Sequence, residues 1–318
     1  MGKLARILGV SGALAGVVLA TATSASAHSS APSARVPVVR VSAAGQGQPV
    51  AKGITAIHAR PAVSLAKPGG YTLVESVQIT LNADSQAFAF LSCPRKKGVQ
   101  TVPLNGGAEI SSSDLAANVN SSYPYFDGKS WAVDANNGSS SATFFNVFVV
   151  CAKKIKGYVQ LHSASEPNSA GTENAYGGVC PSGDRVFGGG ALSSSTATSV
   201  NLTGTLPNGT NDWAIYINNA STSSAGVTLY VICAKPPSTM HYSIYSTSGV
   251  NDAAGTEAGV SQFCPSGYSV LGGGIQQSTG LLSVNINSTF PLTGEWRAYE
   301  NNASTFNVTL TIFAICGT

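Results

Sequence analysis

Cys180-Pro181-Ser182-Gly183-Asp184-Arg185-Val186-Phe187-Gly188-Gly189-Gly190 returns 84 residues later as Cys264-Pro265-Ser266-Gly267-Tyr268-Ser269-Val270-Leu271-Gly272-Gly273-Gly274, and this recurrence decides the fold. A weaker copy begins at Cys93-Pro94, 87 residues before Cys180. Working outward, Trp131, Trp213 and Trp296 each stand 20 residues before a second cysteine, namely Cys151, Cys233 and Cys316. Asparagine pairs follow each tryptophan: Asn136-Asn137, Asn218-Asn219 and Asn301-Asn302. Tyr71, Tyr158 and Tyr242 each lie 22 residues before the first cysteine of their copy. A fixed period of this size marks a repeated structural unit. The modules are bounded at 71–157, 158–241 and 242–318.

Local pattern makes every module β. The closing segments Phe144–Val150, Val227–Ile232 and Val308–Ile315 are rich in β-branched and aromatic residues, as strands buried on both faces are. No stretch after residue 28 combines helix caps with a 3.6-residue apolar period. Trp213-Ala214-Ile215-Tyr216-Ile217 alternates before the asparagine pair, so the tryptophan and cysteine strands are expected to form a hairpin there, as Asn137-Gly138 also suggests. The predicted fold is all-β, with three disulfide-bonded modules packed in pseudo-three-fold symmetry. Three tandem small sandwiches are the alternative. Short connections after Cys151 and Cys233 favour the compact form.

The beginning of the chain reads as an export signal. Lys3 and Arg6 precede an apolar run from Ile7 to Ala20, and Ala25-Ser26-Ala27 forms a small-residue cleavage site. Residues 1–27 are therefore predicted to be a Sec signal peptide, with an extracellular product carrying no membrane anchor. The six cysteines are then expected in disulfides, most economically Cys93–Cys151, Cys180–Cys233 and Cys264–Cys316. Bridges exchanged between neighbouring copies are the alternative. Residues 28–70 carry five basic side chains, no acidic ones and no cysteine, and read as a flexible leader or propeptide. From Tyr71 onward 10 basic residues face 14 acidic ones, which argues against nucleic-acid binding.

The run Cys-Pro-Ser-Gly-x-x-Val-x-Gly-Gly-Gly, followed by Pro, Trp and a closing Ile-Cys strand, resembles a module of secreted actinobacterial proteins of unknown function. Similar modules are found at the ends of some bacterial collagen-like and tail-fibre-like chains. The resemblance spans Tyr71 to Thr318 and implies architecture and export, with no activity and no site residue to carry over. Copy one departs from it, with Asn105-Gly106-Gly107 in place of the glycine triplet.

Candidate chemistry is sparse. The glycine triplets open no helix, so they read as places of close backbone approach rather than phosphate loops. The asparagine pairs read as turns in preference to sugar-binding amides, and the tryptophans as core in preference to stacking platforms. Glu173 and Glu257 occupy equivalent places with Gln86 in copy one, too far apart to act as a catalytic pair. Asp252 with Glu257 lacks a calcium-loop pattern. No nucleophile elbow or zinc motif occurs, and Ser64-x-x-Lys67 falls in the leader. No cofactor and no metal is expected. The asymmetric feature is basic: Arg95, Lys96 and Lys97 follow Cys93, while Lys153, Lys154 and Lys156 follow Cys151, so the bridge would gather six cations. They are the candidate ligand-binding residues, for cell-wall or extracellular polysaccharide. The sequence thus predicts a non-catalytic secreted binding or surface protein. A structural module packing with other secreted proteins is the alternative, and a hydrolase with an unrecognised site ranks behind both.

Overall fold

The computed structural model describes residues 36–43, 54–66 and 70–318. The predicted signal peptide lies outside the described residues. The described residues form 25 β-strands and no α-helix. Module 1 contains β4 (Thr72–Ser76), β5 (Ile79–Leu81), β6 (Ser85–Ser92), the small hairpin β7–β8 (Arg95–Lys96, Val99–Gln100), β9 (Val102–Ile110), β10 (Ala117–Pro124), β11 (Ser130–Asn137) and β12 (Thr143–Ala152). Module 2 contains β13 (Val159–Ser163), β14 (Glu166–Asn168), β15 (Thr172–Val179), β16 (Arg185–Ser193), β17 (Val200–Pro207), β18 (Asp212–Asn219) and β19 (Ala225–Ala234). Module 3 contains β20 (Ser243–Asp252), β21 (Thr256–Phe263), β22 (Ser269–Gln277), β23 (Val284–Pro291), β24 (Glu295–Asn302) and β25 (Val308–Gly317).

Each module divides its strands between two sheets, and each sheet joins two modules. The first sheet runs β13-β19-β16 from module 2 into β10-β11-β6 from module 1. In the second, β20-β25-β22 of module 3 continues into β17-β18-β15 of module 2. The third closes the circle, pairing β4-β12-β9 of module 1 with β23-β24-β21 of module 3. The seams are short antiparallel contacts: Ser122 opposite Ala191, Thr205 opposite Ile275, and Thr289 opposite Ala108. Apart from the small β7–β8 hairpin, no module owns a complete sheet, so beads on a string do not describe the molecule. One hydrophobic core draws on all three modules, with Trp131, Trp213 and Trp296 at its centre.

The disulfides are internal to the modules, Cys93–Cys151, Cys180–Cys233 and Cys264–Cys316. Each ties the end of the second strand to the closing strand in the facing layer.

Two expectations need correction. The tryptophan and cysteine strands do not form a hairpin: β11 pairs with β10 and β6, whereas β12 pairs with β9 and β4. The asparagine pair instead sits where the chain arches from one layer to the other. Nor is all of the leader flexible. β1 (Val41–Ala43) pairs with β13, β2 (Ala56–His58) runs parallel to β6, and β3 (Pro61–Ala66) pairs with β4. Those sheet edges expose unpaired amide and carbonyl groups, which extended Ala- and Val-containing segments satisfy without needing a period of their own.

Candidate functional site

The repeated residues build the scaffold. Each triplet glycine solves a different steric problem. A Cβ on Gly190 would fall 1.8 Å from Ser122 O, and one on Gly274 1.8 Å from Thr205 O, so the third glycine lets neighbouring modules touch backbone to backbone. A Cβ on Gly106, Gly189 or Gly273 would strike the ring of Trp131, Trp213 or Trp296. The first position lies where all three modules meet. Cβ atoms on Gly188 and Gly272 would collide with Asn105 and with the carbonyls of Leu104 and Phe187. Asn105 fills that shared space, its Nδ2 donating to Gly273 O at 3.1 Å and its Oδ1 accepting from Gly106 N at 2.8 Å. One side chain occupies the common centre and two glycines make room for it. This accounts for the departure of copy one from the triplet.

The tryptophans are core. Their Nε1 groups donate to Ser122, Thr205 and Thr289, on the strand that forms each seam. The asparagines are fully buried and divide their work. Asn137, Asn219 and Asn302 cap the arches by accepting from Ser139, Ser221 and Ser304, which explains the Asn-x-Ser pattern without glycosylation. Asn136, Asn218 and Asn301 reach across to the next module, donating to Val200 O, Val284 O and Ala117 O at 2.7–3.0 Å. This clamp is a role that the turn reading missed. Repeated amides and aromatics are therefore withdrawn from solvent and offer no ligand platform.

The six predicted cations sit on two segments leading from the same disulfide. Arg95 and Lys96 lie on β7. Lys96 donates to the carbonyls of Gly70 and Tyr71, and Arg95 to Gly98 O, so both brace their own module. Lys97, Lys153, Lys154 and Lys156 are exposed and without a side-chain partner among the described residues.

Lys154 borders a cleft of about 360 Å³ between modules 1 and 2. Its other walls include Phe126, Asp127, Tyr158 and Gln160. The β10–β11 turn presents Phe126, 37% exposed, with its ring 3.9 Å from that of Tyr125. Asp127 is held by the turn, accepting from Lys129 N and Ser130 Oγ. Tyr158 Oη donates to Pro103 O, and Gln160 Nε2 donates to Tyr158 Oη, leaving the Gln160 carbonyl free to accept. The arrangement offers an aromatic face, an ammonium and an amide carbonyl in one shallow groove. A corresponding cleft between modules 3 and 1 is walled by Leu73, Val150, Pro291 and Leu292 and carries no charge. The sequence signal for this site is modest: copy one alone places an aromatic residue in the turn before its tryptophan.

A second groove, about 640 Å³, includes Glu75, Glu109 and Asn146 in its lining, on the outer face of the sheet shared by modules 1 and 3. Burial raises both carboxyl pKa values, and Glu109 raises that of Glu75 further. Asn146 Nδ2 donates to Glu75 at 3.3 Å.

Modules 2 and 3 together hide a further group of acids. Glu300 is fully buried with neither oxygen hydrogen-bonded, at the place of Ala135 and Ile217 in the other modules. Its pKa is pushed well above the usual carboxylate range by burial, then by Asp252 and Glu173. Burial raises Asp252 to about 6, and Glu173 to about 7 against hydrogen bonds from Thr203 and Gln277. Among the described residues no three His, Cys, Asp or Glu side chains are placed to hold a metal. No family model matches the chain, and no curated protein matches it.

Proposed function

We propose that the protein is secreted and acts as a non-catalytic binding protein for cell-wall or extracellular polysaccharide, through the cleft between modules 1 and 2. The observation that carries this reading is the furnishing of that cleft: Phe126, 37% exposed, stands with Lys154 and Gln160 in one groove, on a scaffold whose repeated tryptophans and asparagine pairs are buried. A pyranose offers a C–H face to an aromatic ring and hydroxyls to amides. The ammonium of Lys154, with Lys153 and Lys156 on the same connection, adds attraction for an anionic polymer that salt weakens. The test is co-sedimentation of the exported chain with peptidoglycan, chitin and cellulose. Binding to one of them that falls at least about five-fold in Phe126→Ala or Lys154→Glu, with unchanged thermal stability, supports the proposal. Retention of the protein in solution with all three polymers rejects it.

Glu75 and Glu109 favour a second reading, a hydrolase, because paired carboxylates with unequal surroundings can serve as acid and base. Release of reducing ends from the same polymers, abolished by Glu75→Gln and Glu109→Gln, would replace the binding reading.

A further inference from the structure

The leader is itself a repeat. Val38 pairs in parallel with Gly177, on the free side of β15, and Val39 N donates to Gly177 O. The chain then crosses to the other layer, where Val41 stands opposite Ser163 on β13. Twenty residues later the same sequence of contacts is made on module 1. His58 pairs in parallel with Phe90 on β6, Ala59 N donates to Phe90 O, and Pro61 stands opposite Ser76 on β4. Gly177 and Phe90 are both three residues before the first cysteine of their module, and Ser163 and Ser76 both five residues after its tyrosine. Each leader segment is therefore a clasp across the open end of one sandwich: parallel to the second strand, then antiparallel to the first. Both clasps carry an arginine at the crossing, Arg40 and Arg60, flanked by small or β-branched residues.

Among the described residues, three modules have two clasps. On module 3 the corresponding strands, β20 and β21, end their sheets with no further strand among the described residues. β20 runs ten residues with its middle exposed, where the first strands of the other modules break after Ser76 and Ser163. Beside it Phe263, at the end of β21, is 64% exposed. The clasp spacing carried one step back from Val38 reaches Val18, inside the stretch that reads as export signal. The two edge strands carry Asp252 and Glu257 and no basic residue, opposite in sign to the clasps.

We propose that the open end of module 3, β20 with β21, is a docking site for a clasp-type strand carried by another polypeptide: an extended segment of small and β-branched residues around an arginine. Main-chain pairing along β20 and β21 supplies the affinity, as in other strand-addition interfaces, and the half-buried Glu257 of β21 favours the basic strand. The occupant is defined by the two segments that already fill the equivalent places on modules 1 and 2.

The probes are labelled synthetic peptides spanning residues 36–43 and 54–66, added to the exported full chain and followed by anisotropy, with hydrogen exchange locating the contact. Expected are saturable binding, slowed exchange confined to 243–252 and 256–263, and at least about five-fold weaker binding when the peptide arginine is replaced by glutamate. Ser246→Lys/Ser248→Lys, on the exposed stretch of β20, should reduce binding to a similar degree while the protein's melting is unchanged. No binding of either peptide at millimolar concentration overturns the proposal, as does protection appearing on β4, β6, β13 or β15. Self-association of the chain alone that protects β20 assigns the edge to a second copy and likewise overturns it.

Discussion

Replacing Gly274 by alanine should open a seam between modules. The added Cβ would lie 1.8 Å from Thr205 O and 2.7 Å from its carbonyl carbon, both main-chain atoms that no rotamer change can move. Reaching even 3.0 Å requires the backbones to part by roughly 1.2 Å. Only Gly204–Gln276 and Thr205–Ile275 are in register at that seam, so parting the strands sacrifices the ladder there. Overpacking costs about 1–3 kcal/mol and weakening the ladder at the two paired positions about 1 more each, giving a loss of about 3–5 kcal/mol. For a domain of this size that is a fall in Tm of roughly 10 °C. The assay is urea and thermal unfolding with disulfides intact, against Gly280→Ala, where the new methyl meets only Glu173 Oε1 at 3.7 Å. If Gly274→Ala unfolds within about 0.5 kcal/mol of the parent, the close approach is not what the glycine is for.

Stability should decline as pH rises. Glu173, Asp252, Glu257 and Glu300 all have raised pKa values in the folded state, so the native protein holds more protons than the unfolded chain above about pH 4. Their stabilising contribution is complete below that point and is lost as pH climbs through about 6 for Asp252 and about 7 for Glu173. Urea midpoints should therefore fall from pH 4 to pH 8, and Glu300→Ile should flatten the slope and add about 1–3 kcal/mol at neutral pH; a midpoint that rises over this range contradicts the burial argument. Cys264→Ser should leave Cys316 as the single alkylatable thiol, and Cys264→Ser/Cys316→Ser should lose about 4 kcal/mol for a sequence separation of 52 residues. A free thiol at Cys180 or Cys233 instead would mean that bridges are exchanged between modules.

What the sequence disclosed followed from period and residue type. Cysteine spacing gave the disulfides, β-branched closing strands gave the all-β class, and glycine triplets gave close approach. The hairpin expectation failed because Asn137-Gly138 is a turn signal in both a hairpin and an arch, and local chemistry does not say which layer the next strand joins. The leader hides its strands because they are held mainly by main-chain pairing, and the few side chains that reach the core, such as Val41 and Ala59, set no period. Asn136 and its counterparts looked local because their partners, Val200 O among them, lie in the next copy. The cleft at Phe126 was invisible for a related reason: its walls come from two modules and from Ala43 of the leader, and only folding sets Lys154 beside that turn. The cations at Arg95 and Lys96 were legible as charges, but their engagement by Gly98, Gly70 and Tyr71 was not.

The central claim is that the strands of three modules close into a ring of shared sheets. Interstrand nuclear Overhauser contacts in isotope-labelled protein test it most directly, at Ala108–Thr289, Ser122–Ala191 and Thr205–Ile275. Contacts at all three seams are predicted, including the one that joins residues from opposite ends of the chain. Seams between modules 1 and 2 and between 2 and 3 with none between Ala108 and Thr289 would describe an open array and contradict the ring.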